Sequence, residues 1–153
     1  MSTDWYPDEE GSIVDGLICG FCYADGAMNE GCIVKWGTSA SGRVAVAEAT
    51  AAAGTIGDGI GVALKAAAGA GSMIPVAFSG IVKMTVDETL AIGDLVLSQN
   101  SVTITGIGSS ANLAINSGTQ KILGCLMQAS TNESDELLVL LGGDGISAGL
   151  VTP

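Results

Sequence analysis

The chain has 153 residues, 48% of them hydrophobic but only 4% aromatic, with 23 glycines and no histidine. Asp and Glu number 16 against 5 Lys and Arg, a net charge of −11 that makes a phosphate backbone a poor direct partner. Without histidine there is no His-dependent triad and no imidazole ligand for zinc, so the composition argues against an enzyme.

The first 26 residues read as an N-terminal arm. Residues 1–30 hold seven acids and no base, and four of the chain's six aromatics (Trp5, Tyr6, Phe21, Tyr23) precede residue 25. Trp and Tyr are favoured anchors at contact surfaces. The arm is therefore expected to dock through Trp5, Tyr6 and Pro7, on its own body, a neighbouring copy or a partner. Cys19 and Cys22 lie at the Cys-x-x-Cys spacing of zinc ribbons and thiol oxidoreductases, with Cys32 and Cys125 as single residues. A zinc site wants a second pair, and a redox motif wants a following helix. The thiols thus read first as small apolar fillers. A structural metal site on Cys19, Cys22 and Cys32, or a disulfide, is the alternative, and a thiol enzyme using Cys19 and Cys22 a third.

From residue 27 the chain repeats itself. Gly61–Gly80 aligns with Gly124–Gly143 without a gap at an offset of 63, and Gly31–Lys35 aligns with Gly93–Leu97 at 62. The pattern predicts a single β domain over 27–143 made of two units, 27–80 and 89–143, followed by a C-terminal tail at 144–153. In each unit a glycine (Gly31, Gly93) turns into a strand, Cys32–Trp36 or Asp94–Ser98. Alternating strands follow at Arg43–Glu48 and Val102–Thr105, then at Gly59–Leu64 and Lys121–Met127, then at Ile74–Phe78 and Leu137–Leu141. Gly80–Val86 reads as a separate strand bridging the units, and Ala66–Ala70 as a brief helical turn. Two such units are expected to close about a pseudo-twofold axis into a compact all-β sandwich or barrel with short helical turns.

The remaining motifs are weak. Gly57-Asp58-Gly59-Ile60-Gly61 is Gly-rich, but no Lys-Ser or Lys-Thr pair follows, so it reads as a turn rather than a phosphate cradle. Asp87-Glu88 reads as a pair of solvated turn residues. Asn132-Glu133-Ser134 matches the glycosylation pattern, which matters only in a secreted chain. The acidic N-terminus does not resemble a secretory signal, and the uncharged stretches are too broken by Gly, Pro and polar residues to span a bilayer. No cofactor, nucleic acid or membrane partner is expected.

The phrase Ile60-Gly61-Val62-Ala63-Leu64, an Ala/Gly-rich step, then Ile74–Val82, together with Leu90–Val96, resembles the capsid decoration proteins of tailed double-stranded DNA viruses, in particular the lambda-decoration-like family. The resemblance covers about residues 27–143. It implies a β-tulip-like, non-enzymatic cement protein of the bacteriophage head, made in the host cytoplasm and carried on the outer capsid surface. Such a homotrimer would clamp neighbouring major capsid proteins after expansion, its arm adding to a capsid strand. The alternative is a β-sandwich binding module that recognises a host surface or glycan.

Overall fold

The structure, a computed structural model, describes residues 13–38, 43–49, 57–106 and 122–142. Trp5, Tyr6, Pro7 and the C-terminal tail lie outside these residues. Nine strands occur among them: β1 (Ile13–Ala24), β2 (Ile33–Trp36), β3 (Ala45–Glu48), β4 (Gly61–Ala63), β5 (Met73–Val86), β6 (Leu95–Ser98), β7 (Thr103–Gly106), β8 (Gly124–Leu126) and β9 (Glu136–Leu141). The fold is all-β. The helical turn expected at Ala66–Ala70 does not form. Instead Ala67 makes a bridge to Met28, because backbone groups on both sides of that loop find partners across the ring.

Hydrogen bonding joins the strands in the order β1-β3-β2-β4-β5, and β5 pairs back onto β1, closing a ring of five. The same strand then continues into β5-β7-β6-β8-β9, and β9 returns to β5, closing a second ring. Each ring has one parallel pairing, β1–β3 and β5–β7, and is otherwise antiparallel. Closure gives every described strand a neighbour on both sides over part of its length, with β1 meeting β3 at Tyr23 and Ala24, which limits the edge open to aggregation.

The duplication is visible at the level of register. Val34 faces Gly61 as Val96 faces Gly124; Ala63 faces Val76 as Leu126 faces Val139; Tyr23 faces Ala45 as Thr85 faces Thr103. Loop bonds repeat too: Gly31 N donates to Ala63 O and Gly93 N to Leu126 O, each at 2.8 Å. Gly31 and Gly93 have φ of 80° and 87°, the left-handed turn expected of them.

Two expectations change. Residues 13–24, read as part of the arm, form a twelve-residue strand of the first ring. Its mix of small residues hides an alternation in which Cys22 and Ala24 are buried while Phe21 is exposed. Ile74–Phe78 and Gly80–Val86, read as two strands, are one, since Gly80 carries the chain through at φ 118°.

The interiors are built from equivalent positions. The first ring encloses Ala24, Val34, Val46, Ala63, Ile74 and Val76; the second encloses Val86, Val96, Ile104, Leu126, Leu137 and Val139. Each fully buried Val, Ile or Leu contributes roughly 1.5–3 kcal/mol of transfer free energy. The units do not meet about a twofold axis. Ile33, Val62 and Ala77 on the outside of the first ring are fully buried in the same cluster as Val82 and Leu141, whereas their equivalents Leu95, Cys125 and Leu140 are only half-buried. A twofold would bury both sets alike. Running one strand through both rings imposes a head-to-tail relation instead.

The tightest strand approach is at Gly124, where a Cβ would fall inside the van der Waals contact of the Leu140 carbonyl oxygen; Gly61 has the same conflict with Ala77. Gly124→Ala is expected to destabilise by roughly 1–3 kcal/mol, as overpacking does. Gly69→Ala, where a Cβ meets nothing within 4 Å, should stay within about 0.5 kcal/mol of the native chain. Urea unfolding of both variants measures the contrast, and equal midpoints would contradict the register described here.

Candidate functional site

Cys22 and Cys32 are buried in the interior of the first ring, and Cys125 is half-buried on β8. Burial raises the Cys22 thiol, and burial together with the Glu48 carboxylate pushes Cys32 up to about 12. The Cys32 thiol donates to Ile33 O at 3.3 Å and to Glu48 Oε1 at 3.6 Å. Thiols held protonated in this way are poor nucleophiles, which weighs against a thiol enzyme. Cys19 lies on β1 opposite Ala77. No group of three His, Cys, Asp or Glu side chains placed to hold a metal occurs among the described residues.

The Gly57–Gly61 segment leads into β4. Gly57 N donates to Ser98 O at 2.8 Å and Gly59 N to Ser98 Oγ at 2.9 Å, while Asp58 pairs with Lys35 at 3.4 Å. Its amides thus tie the first unit to the second rather than facing an anion.

Asp87 and Glu88 are not the solvated turn residues expected. Glu88 accepts hydrogen bonds from the Thr105 hydroxyl and, at 2.9 Å, from Gly106 N, latching the end of β7. Asp87 Oδ1 is buried without a hydrogen-bond partner. The turn folds back over the ring because Asp87 N donates to Ile104 O at 3.1 Å, so it cannot project into solvent.

Two apolar surfaces stand out. On the outside of the first ring, Phe21 lies opposite Pro75 and Tyr23 opposite Met73; Phe21 is 71% and Met73 57% exposed. The Arg43 guanidinium covers the Tyr23 ring at 4.7 Å, a cation–π contact. At one end of that ring, Trp36 stacks on Phe78 with centroids 5.9 Å apart, and Trp36 is 53% exposed. Gly20 makes room for this pair, since a Cβ there would come within 3.0 Å of the Phe78 ring. The composition points to Trp5, Tyr6 and Pro7 as anchors, which lie outside the described residues, and the structure adds Trp36 and Phe78. The signal was available in the repeat, where Ser98 and Leu141 hold the equivalent positions.

No family model matches the sequence, and no curated protein does. The fold, two closed five-stranded rings on a common strand, is similar to a solved structure, the N base of the head fiber protein gp8.5 of bacteriophage phi29. The TM-score is 0.52 at 12% identity, covering 83% of this chain and 95% of that one.

Burial and then the Glu88 charge raise the Asp87 carboxyl above its ordinary 3.8. The native state therefore keeps this proton to higher pH than the unfolded chain does. The contribution favours folding below about pH 3.8 and is lost as pH rises through the native value. Asp87→Asn is expected to raise the urea midpoint at neutral pH and to flatten its pH dependence on the acid side. A midpoint clearly lowered at neutral pH would show the carboxylate to be an asset instead.

Proposed function

We propose that this protein is a structural component of a bacteriophage head, carried on the outer capsid surface. There it acts without catalysis, as a homotrimer that clamps neighbouring major capsid proteins. The observation that carries the reading is the shared architecture with the head fiber base, across nearly the whole of that chain. The sequence resemblance to decoration proteins points the same way from independent residues. Mechanical work also suits the molecule: both rings are closed, Cys22, Cys32 and Cys125 are buried or half-buried, and the interior is apolar.

In this reading the arm supplies the capsid contact through Trp5, Tyr6 and Pro7, adding main-chain hydrogen bonds to a capsid strand. Strand β1 is described from Ile13, so removing residues 1–12 leaves it whole. A second reading, a module that binds a host surface or glycan, is favoured by the exposed Phe21 and Met73 on one outward face. Copy number separates the two, hundreds per particle for a clamp and few for a receptor binder.

A chain lacking residues 1–12 is expected to fold with an unchanged unfolding midpoint and to lose co-sedimentation with expanded heads of its virus. Full binding by the truncated chain would remove the arm from the mechanism. A native chain that fails to bind heads at all would remove the clamp.

A further inference from the structure

The two units of the chain meet through unlike surfaces, and that leaves a matching pair open. Inside the chain, the outward side chains Ile33, Val62 and Ala77 of the first unit pack with Val82 and Leu141 at one end of the second ring. Backbone bonds seal the contact: Ile33 N donates to Ser101 O at 2.7 Å and Gly57 N to Ser98 O at 2.8 Å. One partner in this contact is a sheet face, the other a ring end.

Register converts each side into its equivalent in the other unit. Ile33, Val62 and Ala77 become Leu95, Cys125 and Leu140, half-buried on the outside of β6, β8 and β9. Ser98 and Leu141 become Trp36 and Phe78, the stacked pair at the end of the first ring. At three of these five positions the free version is the larger apolar residue. Leu140 stands for Ala77, Trp36 for Ser98 and Phe78 for Leu141, and none of these positions is charged. In a chain of net charge −11, uncharged apolar surfaces are where like copies approach at least electrostatic cost.

We propose that the occupant is a second copy of this chain: the Trp36–Phe78 end of one copy seats on the Leu95–Cys125–Leu140 face of the next, continuing between molecules the contact that already joins the units within one. Such a contact is heterologous, each copy offering one end and one face, and it closes into a ring of copies when the rotation permits. A tryptophan at the centre of the contact fits the residue preference of binding hot spots. The inference is independent of the capsid reading, because it rests on the internal repeat alone.

Two variants of the full chain test it. Trp36→Ser installs the residue the second unit uses at that position and disables the end; Leu95→Lys places a charge on the face. Circular dichroism and unfolding midpoints establish that each is folded, and Leu140→Lys serves if Leu95→Lys is not. By light scattering, the native chain is expected to form a discrete oligomer. Each variant alone should associate about thirtyfold more weakly or worse, the loss typical of a hot spot. Mixed, the two variants retain one intact end and one intact face between them, so they should pair one to one and stop there. A monomeric native chain, folded variants that assemble like the native chain, or a mixture that does not pair would each overturn the proposal. A monomeric native chain would also remove the homotrimer from the proposed function, whereas head binding, read separately, tests the capsid role itself.

Discussion

Everything in this fold depends on β5 satisfying two rings at once. Over fourteen residues without a break it pairs with β4 and then β9 along one edge, and with β1 (Met73 to Val82) and then β7 along the other. Register in one ring therefore constrains register in the other, because a one-residue slip would turn Val76, Val82 and Val86 out of their interiors together. The larger buried cluster reflects this coupling, combining Ile33, Val62 and Ala77 from the first unit with most of the second interior. Substitutions on opposite sides of β5 share neighbours, so their effects on stability should not be treated as additive.

The two interiors solve one packing problem differently. Where the second ring has Val86, Ile104 and Leu126, the first has Ala24, Val46 and Ala63. Side chains this small leave volume to fill, and close packing requires that something fill it. Phe78 packs partly against that cluster, with Gly20 cut back to admit its ring. This accounts for the position of Phe78, one of the few aromatics of the chain. It also explains why a unit lined with alanine needs its neighbour to cover it on the outside.

Alternating segments were legible as strands because one face of each is buried: β9, with Leu137, Val139 and Leu141 in and Leu138 and Leu140 half out, follows the rule closely. The repeat was legible because Gly31 and Gly93 are needed for left-handed turns and so stay in step. β1 was hidden by its own packing. Its inward positions Gly20, Cys22 and Ala24 must be small, and small residues carry no hydrophobic signal. The continuity of β5 was hidden by Pro75 and Gly80, which usually end strands. Pro75 is tolerated because its carbonyl, which accepts from Leu64 N at 2.9 Å, is the group that is used. The role of Asp87 and Glu88 depends on Thr105 and Gly106, partners no local pattern could reveal. Of the candidate contact residues, the arm was chosen on composition, while Trp36 gains meaning only once Ser98 is known to be covered.

Because β5 passes from one unit to the next as unbroken strand, nothing between the halves acts as a linker. Paired domains on a flexible tether sample many separations, and their combined grip on a lattice falls with the volume they explore. Here the spacing between outward surfaces is set by the 3.2–3.4 Å rise of extended backbone. In the proposed capsid role the duplicated molecule would serve as a ruler of fixed length, to be matched by the array it binds.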